Sequence, residues 1–321
     1  MRALRTVNTV LGPIATEELG IVAIHEHIGY GMPGSELDSQ WWKTPEQRYA
    51  ETVPKLRAFH DYGGGTFVDA TGICNGRDID YYKSLSAKTG VHIVACTGFV
   101  GGDTALAHFA RAGVDYLAEV FVHELTVGIG GTGSKAGVIK VGVSRGGRMT
   151  ELDKKIYRAA ARAACHTGAP IMTHLAIDAE PAIEIFHDEG LPLHRVIFGH
   201  ADDGFNAERT RDRWIAELGG RVGFDTFGYE TELADPPFWA RPRQERLEHF
   251  LGFLGAGFLD QAIAGVDANC SPLGWPGVKG HTVNYLFEDL IPDLRAAGVD
   301  EATITRLFET NPADFLTVQT P

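Results

Sequence analysis

The sequence is short of cysteine, of basic residues and of long apolar runs. Its four cysteines lie far apart without a C-x-x-C pair, so we do not expect a structural zinc knuckle. Basic residues number 29 against 42 acidic ones, and the net charge of −13 argues against nucleic-acid and anionic-membrane partners. No stretch approaches the roughly 20 apolar residues of a membrane helix. With no apolar leader at the start of the chain, we expect a reduced, cytoplasmic setting.

Short apolar runs, rich in β-branched residues, alternate with longer amphipathic ones. Helical patterns include 45–63, which we expect Pro54 to kink or divide, and 104–126. This alternation predicts a single (β/α)8 TIM-barrel domain over residues 1–321, with an open doubly wound sheet as the alternative. The eight predicted strands cover residues 21–27, 65–72, 91–98, 136–143, 169–175, 195–201, 221–227 and 261–267.

The first predicted strand carries two histidines, His25 and His27, two positions apart. Residues i and i+2 share a face of a strand, so both imidazoles should point into the barrel. Ile24 and Glu26 should then point towards the helix layer. One such pair among 13 histidines proves little by itself.

Further ligand-type side chains stand where other predicted strands end. His174 ends the fifth strand, His200 the sixth and Asp267 the eighth. The carboxyl ends of barrel strands meet at one rim, so these groups should converge there with the first histidine pair. Convergence of imidazoles and a carboxylate predicts a metal site, whereas structural histidines would be scattered.

Lys140 lies among apolar neighbours on the fourth strand. Burial lowers the pKa of a lysine and leaves a nucleophilic neutral amine. Such an amine can take up CO₂ to become a carbamate, an anion able to bridge two metals. The alternative is a buried ion pair of Lys140 with Asp267 or Glu26.

Several segments together resemble the phosphotriesterase family of the amidohydrolase superfamily. They are TVNTVLGPIATEELGIVAIHEH, GTGSKAGVIKV, GAPIMTH, GLPLHRVIFGHADD and ETNPADFL. The first of them resembles the N-terminal β-hairpin and first strand of that family. The likeness runs over nearly the whole chain and includes the order of the ligand-type residues along it.

The resemblance implies a binuclear metal site. The more buried metal would be held by His25, His27 and Asp267, and the more exposed one by His174 and His200. Zinc is the expected metal, although cobalt, manganese or iron suits the same ligands. The family likeness also implies a homodimer.

The resemblance also implies the chemistry. Carboxylated Lys140 and a hydroxide would bridge the two metals, and the hydroxide would attack an electrophilic phosphorus or carbonyl carbon. Asp267 would accept or shuttle the proton.

The expected substrate is a small neutral lactone or related ester, with promiscuous turnover of phosphotriesters. Family lactonases usually carry a tyrosine past strand 3 and an arginine in the strand 7 segment, and this chain has neither at 97–100 or 225–228. An N-acyl amide hydrolase and a non-catalytic binding protein are the alternatives. We expect the substrate pocket to be apolar and lined by Phe99, Val100, Thr226, Phe227 and Trp275.

A serine mechanism is a weaker alternative. Residues 142–146 match G-x-S-x-G around Ser144, and Asp267 and His281 follow in the order of an α/β-hydrolase triad. A nucleophile elbow needs a helix directly after its serine, and here the nearest cap is Thr150. We therefore expect a glycine-rich loop. Asp202 and Asp203 after His200 are expected to form a solvated loop cap, with support of metal ligands as the alternative.

Overall fold

A short antiparallel hairpin opens the chain, and eight parallel strands follow it. The computed structural model describes residues 5–145, 147–174, 179–204, 210–229, 240–273 and 282–318. Within them the strands are β1 (Thr6–Thr9), β2 (Gly12–Ala15), β3 (Ile21–Glu26), β4 (Gly64–Asp69), β5 (His92–Gly98), β6 (Val138–Val141), β7 (Ile171–Thr173), β8 (Val196–Phe198), β9 (Arg221–Phe224) and β10 (Ala262–Ala264).

The strands β3 to β10 lie side by side in chain order, each parallel to the next. The first and last of them meet just beyond their ends. The N–H of His27 donates to the carbonyl of Ala268 at 2.7 Å, and the N–H of Cys270 donates to the carbonyl of His27 at 2.9 Å. The sheet therefore forms a nearly closed TIM barrel, as the sequence predicts, and the open doubly wound alternative is wrong.

Glu26 contributes to the same seam. Its buried carboxylate accepts the N–H of Val266 at 3.3 Å and that of Ala268 at 2.6 Å. The carboxylate of Glu26 thus accepts the backbone N–H groups that a carbonyl of a neighbouring strand would otherwise accept. The expectation that Glu26 points towards the helix layer is wrong, because its carboxylate lies at the seam and accepts these two amides.

The helices alternate with the strands and surround the barrel. The α-helices of the described residues are α1 (Pro45–Asp61), α2 (Ile79–Thr89), α3 (Ala107–Ala110), α4 (Val114–Thr126), α5 (Glu151–Thr167), α6 (Glu180–Asp188), α7 (Thr210–Glu217), α8 (Arg243–Gly255), α9 (Ile291–Ala296), α10 (Glu301–Thr305) and α11 (Asn311–Leu316). Single π-helical turns at Leu286–Leu290 and Arg306–Thr310 precede α9 and α11.

Two helical predictions need correction. Helix α1 continues through Pro54, so the proline does not divide it. The predicted helix 104–126 is instead two helices, α3 and α4, separated at Arg111–Gly113, where glycine makes a helical interior unfavourable. Helix α5 has clear ends: Thr150 and Asp153 form its capping box, and Gly168 ends it at φ 72°.

Apolar side chains fill both the barrel interior and the layer beneath the helices. Alternate strand residues belong to the two layers, as in Val22 inside and Ala23 outside. The interior layer includes Val22, Ile24, Val68, Val94, Val138, Met172, Ile197 and Ile263. No helix of the described residues is both long and apolar enough to cross a bilayer.

Candidate metal centre

A bulge in β3 explains why His25 reaches the barrel interior. The register with β4 pairs Ala23 with Phe67 and Glu26 with Asp69, so β3 carries one extra residue between those pairs. Ile24 lies in the interior layer, and the bulge turns the next residue, His25, inward as well. The prediction that Ile24 faces the helices is wrong, because strict alternation fails at a bulge.

Two other candidate ligands, His200 and Asp267, have left-handed backbones. Their φ angles are 58° and 48°, in a region that side chains other than glycine rarely adopt. Each follows the end of its strand, β8 or β10, at the carboxyl end of the barrel. Backbone strain of this kind is concentrated at functional sites, where surrounding contacts hold it.

Asp225, just after β9, is a central residue of the site that the sequence analysis did not identify. One carboxylate oxygen lies 2.6 Å from His25 Nδ1, and the other lies 2.8 Å from His200 Nδ1 and accepts the His200 N–H at 2.7 Å. Burial alone would raise the pKa of Asp225, yet the two imidazoles hold it well below its ordinary value. Both imidazoles thus donate through Nδ1 and present Nε2 to the interior.

His27 is oriented in the same way by Thr71. The hydroxyl of Thr71 donates to Asp69 at 2.9 Å, so it accepts from His27 Nδ1, also at 2.9 Å. The Nε2 lone pair of His27 then lies 3.0 Å from Asp267 Oδ1. That oxygen is buried and receives no well-directed hydrogen bond from the described residues. Two facing lone pairs without a proton between them fit a cation.

Lys140 is fully buried beside His25. Its Nζ lies 2.5 Å from His25 Nε2, and it forms no ion pair with a carboxylate among the described residues. Pairing with Asp267 or Glu26, the structural alternative for this lysine, is therefore not observed. Burial lowers the pKa of Lys140 to about 8, against the attraction of Asp267 and Asp225.

His174 and His200 form the other half of the cluster. His174 Nδ1 lies 2.9 Å from His200 Nε2, and the two rings are perpendicular with centroids 4.6 Å apart. The rings of His200 and His25 are stacked at 4.9 Å. Burial lowers the pKa of His174 well below its usual value, whereas the Asp225 carboxylate outweighs burial and raises the pKa of His200 to about 9. The raised pKa favours the protonated form of His200, and a metal ion bound there would have to displace the extra proton.

The structure thus brings all six sequence-predicted ligands to one end of the barrel. Ligand atoms of His25, His27 and Asp267 lie within 4.8 Å of one another, as do those of His25, His200 and Asp225. Donor type, tautomer and the orphaned oxygen of Asp267 fit metal binding.

Two tyrosines border the cluster, and neither is among the predicted site residues. The Tyr229 hydroxyl donates to Asp267 Oδ2 at 2.8 Å. The Tyr30 ring lies 4.9 Å from that of His27, and burial raises the pKa of Tyr30 to about 12. Both residues lie beyond strand ends, so only their aromatic character could have marked them in the sequence.

The phenylalanines proposed for the substrate pocket are fully buried under the helices. The Phe99 ring lies 5.1 Å from Phe109 and 6.0 Å from Phe121, and the Phe227 ring lies 5.9 Å from Phe250. Their strands end before them, at Gly98 and Phe224, so strand alternation does not set their direction. We assign both rings to core packing.

The other pocket candidates are placed as follows. Val100 is buried, and the hydroxyl of Thr226 bonds to the guanidinium of Arg246 from α8. Trp275 lies outside the described residues. The contacts of Thr226 therefore face a helix and not the ligand cluster.

Asp202 does not form the solvated loop cap expected from the sequence. It is fully buried, accepts from Arg246 Nη1 at 2.8 Å and from the Thr226 N–H at 3.3 Å, and Asp203 is buried as well. A buried carboxylate needs such partners, and here the partner is an arginine of α8. The loop after His200 is thus tied to the loop after β9.

Ser144 belongs to a helix cap and not to a nucleophile elbow. Its hydroxyl donates to Asp153 at 2.8 Å, in the capping box of α5. His281, the third member of the alternative triad, lies outside the described residues. Asp267, the second member, lies beside His27.

The fold and the ligand cluster define a class of protein, the TIM-barrel hydrolases that use metal ions. Comparison with known sequences identifies the group. The sequence model of the Phosphotriesterase family matches residues 5–316. The chain belongs to the phosphotriesterase family.

Individual relatives match nearly the whole length of the chain. An aryldialkylphosphatase of Saccharolobus solfataricus is 29% identical over 94% of this chain and 96% of its own. An N-acetyltaurine hydrolase of Xenopus tropicalis is 26% identical over 97% of each. A solved structure of a mutant PTE-like lactonase from Deinococcus radiodurans superposes with a TM-score of 0.88 and 28% identity, over 97% of this chain and 100% of that one.

Proposed function

We propose that this hydrolase is binuclear and acts on a lactone or related ester, with promiscuous hydrolysis of phosphotriesters. One observation carries the proposal. The imidazoles of His25 and His27 present Nε2 to an interior that also holds Oδ1 of Asp267 and the amine of Lys140, neither of which is neutralised by an opposite charge among the described residues: Oδ1 has no hydrogen-bond donor there, and Lys140 bonds only to His25. This donor set is typical of a site for two divalent cations, with zinc the expected metal.

Two cations bound there would supply a hydroxide nucleophile and polarise the scissile C=O or P=O bond. His25, His27 and Asp267 would hold one of them, and His174 and His200 the other. Asp225 keeps the imidazoles of both halves in the ligating tautomer, through His25 and His200.

Lys140 and Asp267 have further roles in the proposal. Carboxylation of Lys140 forms an N–C bond to CO₂ with loss of one amine proton, and the carbamate adds an anionic ligand between the two halves. The pKa of about 8 makes the neutral amine accessible for this step. Asp267 would accept the proton released during attack, on the oxygen not used for metal binding.

Metal analysis combined with a substrate panel tests this proposal. The panel contains lactones, aryl esters, N-acyl amides and phosphotriesters. We expect about two metal ions per chain, the highest kcat/KM on lactones or esters, and loss of activity on chelation that readdition of metal restores. Full activity after exhaustive chelation would contradict the proposal.

An N-acyl amide hydrolase is the second candidate, favoured by the relative named N-acetyltaurine hydrolase. The same donor set could polarise an amide carbonyl. An amide is the weaker electrophile with the poorer leaving group, so its hydrolysis depends more on proton delivery. Amide turnover exceeding that of every lactone in the panel would establish this alternative.

We also propose that the chain forms a homodimer in the cytoplasm. Its four cysteines are free, as is usual in a reducing compartment. Leu37 and Trp42, on the loop after β3, are 82% and 63% exposed, which favours their burial against a partner. Light scattering coupled to gel filtration measures the mass, and a monomer at micromolar concentration would contradict the dimer.

A further inference from the structure

One short segment after β9, residues 225–229, contacts three of the candidate ligands. Asp225 at its start bonds to His25 and His200, and Tyr229 at its end bonds to Asp267. The segment folds back on itself, with the N–H of Tyr229 directed to the carbonyl of Thr226 at 3.4 Å.

The segment is also fastened from outside. The guanidinium of Arg246 in α8 bonds to the hydroxyl of Thr226 and, at 2.8 Å, to the carboxylate of Asp202. Arg246 and Asp202 are both fully buried. The backbone between Asp225 and Tyr229 is therefore held by a charged pair that lies outside the ligand cluster.

The two oxygens of Asp267 have different surroundings. Oδ1 lies 3.0 Å from His27 Nε2 and 4.0 Å from His25 Nε2. Oδ2 accepts the Tyr229 hydroxyl at 2.8 Å and lies 3.9 Å from His200 Nε2. Among the described residues, Oδ1 thus has no proton donor, whereas Oδ2 is bound to a phenol.

The position of Asp267 explains why a donor on one oxygen matters. The residue follows the end of β10, so strand pairing does not fix its orientation, and its φ is 48°. Rotation about its side-chain bonds would exchange the two oxygens. A donor on Oδ2 opposes that exchange, because rotation would break the bond to the phenol.

We propose that Tyr229 is the positioning residue for Asp267. Its phenol keeps Oδ1 directed to the ligand cluster and Oδ2 available for the proton of the hydrolytic step, while the phenolic proton stays on Tyr229. The kinetic part of this inference rests on the proposed function, and the metal-binding part does not.

The test compares Tyr229→Phe with Tyr157→Phe. The first removes the hydroxyl on Asp267 and keeps the ring. The second removes a buried hydroxyl of α5 that has no hydrogen-bond partner in the described part of the chain. Metal-free proteins are titrated with Zn²⁺ or Co²⁺ against a competing chelator, and the Co²⁺ absorption bands are recorded. Steady-state kinetics on the best substrate of the panel follow.

For Tyr229→Phe we expect metal affinity or kcat to fall about 10- to 100-fold, as for other groups that orient metal ligands. The Co²⁺ spectrum should change, KM should stay near that of the parent, and Tyr157→Phe should behave like the parent. The inference is overturned if Tyr229→Phe binds metal and turns over like the parent, or if only KM rises, since that would mark a substrate contact.

The two failures are distinguishable. If the parent protein hydrolyses nothing in the panel, the proposed function fails, yet the chelator titration and the Co²⁺ spectrum still report on Asp267. An unchanged affinity and spectrum in Tyr229→Phe would then overturn the positioning role by themselves.

Discussion

The two ends of the barrel bury side chains of opposite polarity. The amino-terminal end is closed by apolar side chains that pack with the interior layer of the strands: Val7 of the hairpin, Leu19 just before β3, and Phe315 and Leu316 of the last helix. The carboxyl-terminal end holds buried ionisable groups instead, including His25, Lys140, Asp225 and Asp267.

This difference means that one end of the barrel mainly stabilises the fold, whereas the other mainly serves the chemistry of the site. Apolar burial contributes roughly 25 cal/mol per Å² to folding, whereas buried charge is unfavourable unless it is bonded. At the ligand end the bonds are made by groups such as Asp225 and Thr71, which orient ligands as well as compensating for burial. Substitutions at the two ends should therefore affect different measurements.

The largest expected effect is that of Lys140→Met, which removes the amine but nearly keeps the volume. Without the lysine, no carbamate can form between the two halves of the site. We expect kcat/KM to fall by about 1000-fold or more and bound metal to fall with it, as expected for loss of a shared anionic ligand. Elemental analysis and kinetics measure both. Lys135→Met, at an exposed lysine, is the control and should keep both.

At the apolar end, Phe315→Ala should lower the free energy of unfolding by about 3–5 kcal/mol, because it empties a fully buried position. Metal content of the folded protein should not change. Denaturant titration measures the loss, and Leu11→Ala, at a residue 56% exposed, should stay within about 0.5 kcal/mol of the parent. A matching loss of metal would show that the two ends are not separable.

Asp225→Asn should reduce metal affinity or activity by about 10- to 100-fold, since an amide cannot accept from both imidazoles. Chelator competition measures the affinity. Asp212→Asn is a matched control, because Asp212 is also a buried carboxylate beside an imidazole, 3.1 Å from His249 Nε2. If both variants lost metal equally, the effect would be one of general stability.

The smallest effect is expected for Arg5→Ala. Arg5 pairs with Asp314 at 2.8 Å, but the side chains are 44% and 37% exposed. Such pairs contribute about 0–1 kcal/mol. Thermal unfolding should therefore differ little from the parent, and a loss comparable to that of Phe315→Ala would contradict the view that apolar packing dominates this end.

The strands and most candidate ligands could be predicted because their signals are local. Runs such as IVAIHEH and RVIFGHA combine β-branched residues with a polar residue at the end. The rule that strand ends converge then brought His25, His174 and Asp267 together without any knowledge of contacts.

What the sequence did not reveal depends on distant contacts or on local irregularity. Asp225 bonds to His25, which lies 200 positions earlier, and nothing near Asp225 indicates that partner. The direction of Ile24 depends on a bulge, and those of Phe99 and Phe227 on where a strand stops. The burial of Asp202 depends on Arg246, which is 44 residues away.

The seam between β3 and β10 links assembly of the barrel to assembly of the site. Glu26 and Val266 are 240 residues apart along the chain, and His27 and Asp267 stand directly beside that junction. The half of the site that contains His27 and Asp267 takes residues from both sides of this seam. It therefore cannot form before the first and last strands of the barrel meet. In refolding, binding of the metal ion at His27 and Asp267 should therefore mark the final joining of the polypeptide.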